Sequence, residues 1–248
     1  METNHRIERF KAYMKEQGIS HAFVFQPDHQ FYLTGFKALI YSRPIIVHIN
    51  FDKTSIIVPA LEETHAKGHA NVDDVLVYYE HPTDGKVKTS HAEWLEELLK
   101  QVKNREVIGV DFSSVPGEVL SFLQKKEFQV TDVGQIITEM RFIKDKAEIH
   151  ALEKAGELVN LAVSKSLEQV RPGITEMEID AAGNAALFEM TATQYPEATL
   201  DITVMSPSGV KRSIMPHVFS NTRKIQEGDV IIHSRQVGLN GYRAELER

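Results

Sequence analysis

The stretch GDVIIHSRQVGLNGYRAELER, residues 228–248, decides how this chain is read. Asn240 and Gly241 both tolerate positive φ, so together they fit the two central positions of a type I′ turn between two strands. A turn of that length pairs Leu239 with Tyr242, and Ser234 then falls opposite Glu247 and Gln236 opposite Glu245. Because strand side chains alternate, these four and Arg243 share one face. Glu245 and Glu247 stand two positions apart, about 7 Å along the strand. That spacing suits two acids approaching one ligand, or one metal ligand beside one substrate contact. A solvated hairpin face, with Arg243 softening the repulsion, fits the same pattern.

Working outward, His217 follows a proline in the loop SIMPHVFSNTRK, where a neutral imidazole can act as a general base near pH 7 or simply decorate a loop. By alternation His233 points away from the acidic face and reads as structural. Arg223 can pair with an acid, but a solvated side chain is the simpler expectation. Further upstream, Thr175 followed three residues later by Glu178 reads as a capping box opening the helix TEMEIDAAGNAALFEM. The preceding segment repeats Ile149, Leu152, Ala155, Leu158, Val159, Ala162 and Val163 at helical spacing, which predicts a long helix with these residues on its buried face, ended by Pro172 and Gly173. ATLDITVMS reads as a strand.

The first part of the chain has a different rhythm. An amphipathic helix over residues 5–17 ends at Gly18, the run HAFVF follows as a strand, and PIIVHI and TSIIVP form a hairpin across NFDK. DDVLVYY, HAEWLEELLKQV, EVIGVDF and VPGEVLSFLQKK then alternate strand with helix, the signature of an α/β layer. A boundary is placed at about residue 140, giving domains over 1–140 and 141–248.

Composition narrows the chemistry. A formal charge of −7 spread over 248 residues leaves no basic stripe for phosphates, which argues against nucleic acid as a partner. No run of about 18 apolar residues is present and the N-terminus is polar, so no membrane association is expected and a cytoplasmic location is. With zero cysteines, disulfides, thiolate metal sites and cysteine nucleophiles are excluded together. The sequence contains no Gly-rich phosphate loop, Gly-x-Ser-x-Gly elbow or His-Glu-x-x-His helix.

FYLTGF (31–36), MRFIKDKAEI (140–149), RPGITEMEI (171–179), PHVFSNTRKIQEGDVI (216–231) and NGYRAELER (240–248) stand in the order found in the creatinase, prolidase and aminopeptidase P family, and the chain resembles that family over its whole length. The resemblance implies an N-terminal α/β domain with a mixed sheet, followed by the first part of a pita-bread α+β domain. Metal-dependent members resemble Asp-x-Gly-x-x-x-x-Gly-Tyr-x-x-Asp-x-Thr-Arg, both Asp residues binding a metal pair. Here Ser234 stands at the first of these and Glu245 at the second, which makes Glu245 a doubtful metal ligand because hard divalent ions need anionic oxygens. The ending is similar to the metal-free creatinase branch, with Gly241, Tyr242, Leu246, Glu247 and Arg248 matching. On that match Glu247 falls on a substrate-binding position, with Arg243 beside it, and His217 on the catalytic one.

The resemblance therefore implies a creatinase-like hydrolase that cleaves a C–N bond in a small polar substrate. The alternatives are a metal-dependent Xaa-Pro dipeptidase or aminopeptidase P, and a non-catalytic pita-bread binding module. No cofactor is expected, with Mn, Co or Zn required only for the peptidase. A small-molecule or dipeptide substrate and a homodimer are the expected partners. Family members run on for roughly another half of the pita-bread, so the resemblance also implies a truncated piece, inactive alone.

Overall fold

The computed structural model describes residues 3–39, 42–81, 85, 87–215 and 217–248. The chain divides into two compact units, Met1–Ile143 and Lys144–Arg248.

The first unit opens with α1 (Thr3–Glu16), β1 (Ile19–Val24), α2 (Pro27–Thr34), β2 (Ile46–Asn50) and β3 (Thr54–Pro59). After a short 3₁₀ turn it continues with α3 (Glu63–His69), β4 (Asp74–Tyr78), α4 (His91–Leu99), β5 (Val107–Val110), α5 (Gly117–Lys125), β6 (Gln129–Asp132) and α6 (Gly134–Phe142). The strands form one sheet in the order β4-β3-β2-β1-β5-β6. β1–β2 and β2–β3 are antiparallel, while β3–β4, β1–β5 and β5–β6 are parallel.

Strand alternation sorts the core into two layers. Ala22, Val24, Val47, Ile49, Ile56 and Val58 pack with Phe10 and Met14 of α1, Leu33 of α2 and Ile137 of α6. Their neighbours Phe23, Ile46, Ile57, Ile108 and Val110 face the other way, onto Leu95 of α4 and Leu123 of α5. A strand covered on both faces needs apolar residues at every position, which is why these segments read as continuous runs.

The second unit contains α7 (Lys146–Leu167), α8 (Glu176–Gln194), β7 (Leu200–Met205), β8 (Ser234–Leu239) and β9 (Tyr242–Glu247), the strands forming an antiparallel sheet in that order. Both helices open with a capping box, Asp145 with Glu148 and Thr175 with Glu178. Leu158, Val159, Ala162 and Val163 of α7 and Leu187 of α8 pack against Val237 and Leu239, with Leu200, Ile202, Ala244 and Leu246 joining from the same side of the sheet. Ile149, expected on the buried face, is instead 47% exposed. The capping box turns Glu148 inward, where it takes a hydrogen bond from the Tyr242 hydroxyl at 3.1 Å, and Ile149 follows about 100° further round the helix.

One cation lies within this apolar layer. Arg235 of β8 is fully buried and donates to Asn184 Oδ1, to Ser166 Oγ at 3.1 Å and to the Asp180 carbonyl at 3.0 Å. Burial lowers its pKa, an effect the Asp180 charge partly offsets. Gly183 makes room for it, because a Cβ there would lie 2.5 Å from Arg235 Nη2.

Candidate active site

The hairpin has the register that its turn predicts. Leu239 pairs with Tyr242, Gln236 with Glu245 and Ser234 with Glu247, while Asn240 (φ 49°) and Gly241 (φ 91°) take the positive-φ positions. Since Val237, Leu239, Ala244 and Leu246 face the helices, alternation turns Ser234, Gln236, Arg243, Glu245 and Glu247 to the opposite face, and Asp201 and Thr203 of β7 join them.

Two contacts organise this face. Ser234 Oγ donates to Glu245 Oε1 at 3.2 Å, and Arg243 Nη2 pairs with Asp201 Oδ1 at 2.9 Å. Gly238 lies across from both Asp201 and Arg243, and a Cβ on it would approach the Asp201 carboxylate to 2.6 Å. Glycine at that point is therefore what lets the ion pair form. Ser234 is buried, whereas Arg243, Glu245 and Glu247 are exposed.

The residues of this face do not fit the metal pair of the peptidase pattern. At the first ligand position Ser234 supplies a proton to Glu245 where a metal would need an anionic oxygen. Among the described residues no group of three His, Cys, Asp or Glu side chains is placed to hold a metal ion.

His217 sits exposed in the loop between β7 and β8; its neighbour Pro216 lies outside the described residues. The ends of this loop are bound to α8 by groups that sequence reading missed. Glu176, fully buried, accepts from Ser208 N (2.8 Å) and Oγ (2.6 Å), from Arg212 Nε (3.1 Å) and Nη2 (2.9 Å), and from Asn221 N (3.0 Å). Burial alone would raise its pKa, but the ion pair with Arg212 and the Ser208 and Asn221 hydrogen bonds together hold it below the usual value. One helical turn on, Asp180 accepts from Ser206 Oγ at 2.5 Å and is also hydrogen-bonded to Ser220. Its pKa is raised because burial outweighs those hydrogen bonds and the pull of Arg235.

His233 is buried, as a structural residue would be, with Nδ1 2.7 Å from Ser206 Oγ. Since the serine proton goes to the Asp180 carboxylate, the hydroxyl accepts from His233 Nδ1–H. Burial first, and the Arg235 charge second, lower the His233 pKa to about 4. Arg223 is not simply solvated as expected. Its guanidinium forms two hydrogen bonds with Asp229, at 2.6 and 2.9 Å, and a third with Ser208 Oγ at 2.7 Å. The acid lies only six residues downstream, a signal the sequence contained.

A mixed-sheet α/β unit followed by two capped helices and an acidic antiparallel sheet defines a recognised class. The chain belongs to the creatinase/prolidase family: residues 6–143 match the Creatinase/Prolidase N-terminal domain, and residues 150–248 match Metallopeptidase family M24. Among relatives, it is 26% identical over 246 residues to the Xaa-Pro dipeptidase of Pyrococcus furiosus, covering 98% of this chain and 63% of the relative. It is 23% identical over 256 residues to the creatinase of a Bacillus species, covering 100% of this chain and 59% of that protein. The solved prolidase structure from Pyrococcus furiosus superposes with a TM-score of 0.78 at 24% identity, covering 98% of this chain and 69% of that one, which shows the fold. The two units thus have the creatinase-type N-terminal fold and the part of the pita-bread fold that the chain spans.

Proposed function

We propose that this chain is part of a metal-independent hydrolase that cleaves a C–N bond in a small polar substrate bearing a cationic guanidinium or ammonium group. The observation that carries this reading is the Ser234 hydroxyl bonded to Glu245 at 3.2 Å, which puts a neutral donor where the peptidase pattern has a carboxylate. Glu247, at the end of the same face, supplies an exposed carboxylate to hold the cation, and Arg243, tethered to Asp201, suits a carboxylate elsewhere on the substrate. His217 takes a proton from water as the oxygen bonds to the electrophilic carbon. It then returns that proton to the nitrogen as the C–N bond breaks.

A second reading is a metal-dependent Xaa-Pro peptidase. It is favoured by the M24 match and by the name of the Pyrococcus relative, with Glu245 as its metal ligand in this chain. The test is turnover by the full-length protein of creatine-like guanidino compounds and of Xaa-Pro dipeptides, each with chelator and with Mn²⁺. Guanidino hydrolysis that survives chelation is expected. His217→Ala should lower turnover about 10²- to 10⁴-fold, and Glu247→Gln should weaken substrate binding by about 1.5–3 kcal/mol. Dipeptide cleavage that appears only with Mn²⁺ would replace the first reading by the second, and no turnover of either class would defeat both.

A further inference from the structure

We propose that Glu176 and Asp180 are positioning residues for His217, clasping both ends of the loop that carries it; this rests on the reading of His217 as the proton-transferring group. The two acids are four apart on α8 and so lie on one face of the helix. Glu176 binds Ser208 and Arg212 on the incoming side of the loop and Asn221 on the outgoing side. Asp180 does the same with Ser206 and Ser220, whose backbone and side chain are themselves joined by Ser206 N→Ser220 Oγ at 2.7 Å. Arg212 adds a cross-strut, donating from Nη2 to the Phe219 carbonyl at 2.7 Å.

Two other roles for these acids are disfavoured by the geometry. Glu176 is not needed to cap α8, because Thr175 and Glu178 already do so, and all its side-chain bonds go to the loop. Nor does apolar packing hold the stretch between Ser208 and Asn221, since Val210, Ile214 and Phe219 are 87%, 77% and 73% exposed and the loop's buried apolar contact, Ile225 on Ile174 and Ile179, lies beyond it. Two like charges one turn apart and away from water are unfavourable unless paired, and the hydrogen-bonded partners that offset the cost here all belong to the loop: Arg212, Ser208 and Asn221 for Glu176, and Ser206 and Ser220 for Asp180. Here each closes the loop's neck, which restricts the conformations open to the exposed residues between, His217 among them. The chain of bonds Asp180–Ser206–His233 also ties that neck to the residue before Ser234. The loop and the acidic sheet face are thereby held from one point.

The test compares the full-length parent protein with Glu176→Gln and with Ser220→Ala, a milder change that removes the Ser220 Oγ bonds to Asp180 and to Ser206 N should the first variant fail to fold. In the parent, His217 should give one sharp imidazole resonance. In Glu176→Gln it should broaden or split, and the Ser208 and Asn221 amides should exchange at least about 10-fold faster, with the Leu187 and Val237 amides unchanged. Ser220→Ala should speed exchange of the Ser206 amide about 3- to 10-fold. On substrate, Glu176→Gln should lower kcat about 10- to 100-fold with little change in KM, the mark of a misplaced proton-transfer group. An unchanged His217 resonance with unchanged amide exchange overturns the clasp, and a disordered loop with full kcat overturns the positioning role. Full turnover by His217→Ala, or no turnover by the parent, fails the reading beneath it while leaving the amide data to judge the clasp alone.

Discussion

The two units bury polar side chains for different ends. In the first, several such groups serve the backbone, although His48 bonds His21 and His29 bonds Thr138. Asp111 accepts from Phe25 N at 2.8 Å and Gln26 N at 2.7 Å, Gln30 donates to the carbonyls of Val24, Phe25 and Ile45, and Arg6 donates to the Tyr32 carbonyl. In the second unit more of them also bond one another, as Glu176 with Arg212, Ser206 with both Asp180 and His233, and Arg235 with Ser166 and Asn184. A side chain that pins backbone acts separately from its neighbours, whereas members of a network depend on each other. The first arrangement builds a scaffold around an apolar core, and the second holds a loop.

That contrast can be broken at its strongest point by Phe10→Ala. Phe10 is fully buried in the first unit, so the change should cost about 3–5 kcal/mol in chemical denaturation. A loss under about 1 kcal/mol would mean the first unit does not depend on its core as described.

Acid should separate the units next. Burial holds His48, which lies against His21 and stacks on Phe23, down at about 3 in the folded state. Its unfolded value is near 6.5, so as pH falls below that the unfolded chain takes up a proton that the native one refuses. The first unit therefore loses stability from about pH 6.5 down to about 3, at a slope approaching 1.4 kcal/mol per pH unit. His233 acts in the same direction in the second unit. Asp180 acts in the opposite one, because its raised pKa lets the native carboxyl protonate first and so gain stability as pH falls. His48→Gln should flatten the first unit's pH dependence between pH 6 and 5, read by amide exchange in β1 and β2. An unaltered slope would remove His48 as its cause.

The smallest effect is the most specific. A double-mutant cycle between Ser206→Ala and His233→Gln should give a coupling of about 1 kcal/mol, while Asp111→Asn with Arg6→Met should be additive within about 0.5 kcal/mol. Equal couplings would erase the distinction between network and staple.

Legibility in the sequence follows the range of the interactions. The hairpin register was readable because a two-residue turn fixes it locally, and the Thr175–Glu178 capping box because its partners are three residues apart. The α/β class and the helical cover of the sheet were equally visible in the alternation of β-branched runs with amphipathic segments. α2 escaped: PDHQFYLT has no clean apolar stripe, and its ends are set by Gln26, Pro27 and Gly35. Glu176 escaped for another reason. At the first turn of a helix an acid reads as a partner of the helix dipole, and the groups it binds lie 32 to 45 residues downstream. Ile149 misled because apolar spacing marks a face without saying where that face stops.

The Asn240–Gly241 turn carries a consequence of parity. Strand side chains repeat every two residues, so inserting one residue there would reverse the faces of everything that follows it. Glu245 and Glu247 would be driven into the layer beneath α7 while Ala244 and Leu246 turned to water. In this segment a mutational path that changes length by one would invert solubility and chemistry in a single step, whereas side-chain replacement can revise the acidic row one position at a time. The hairpin is thus open to substitution and closed to insertion, a constraint imposed by counting rather than by any contact.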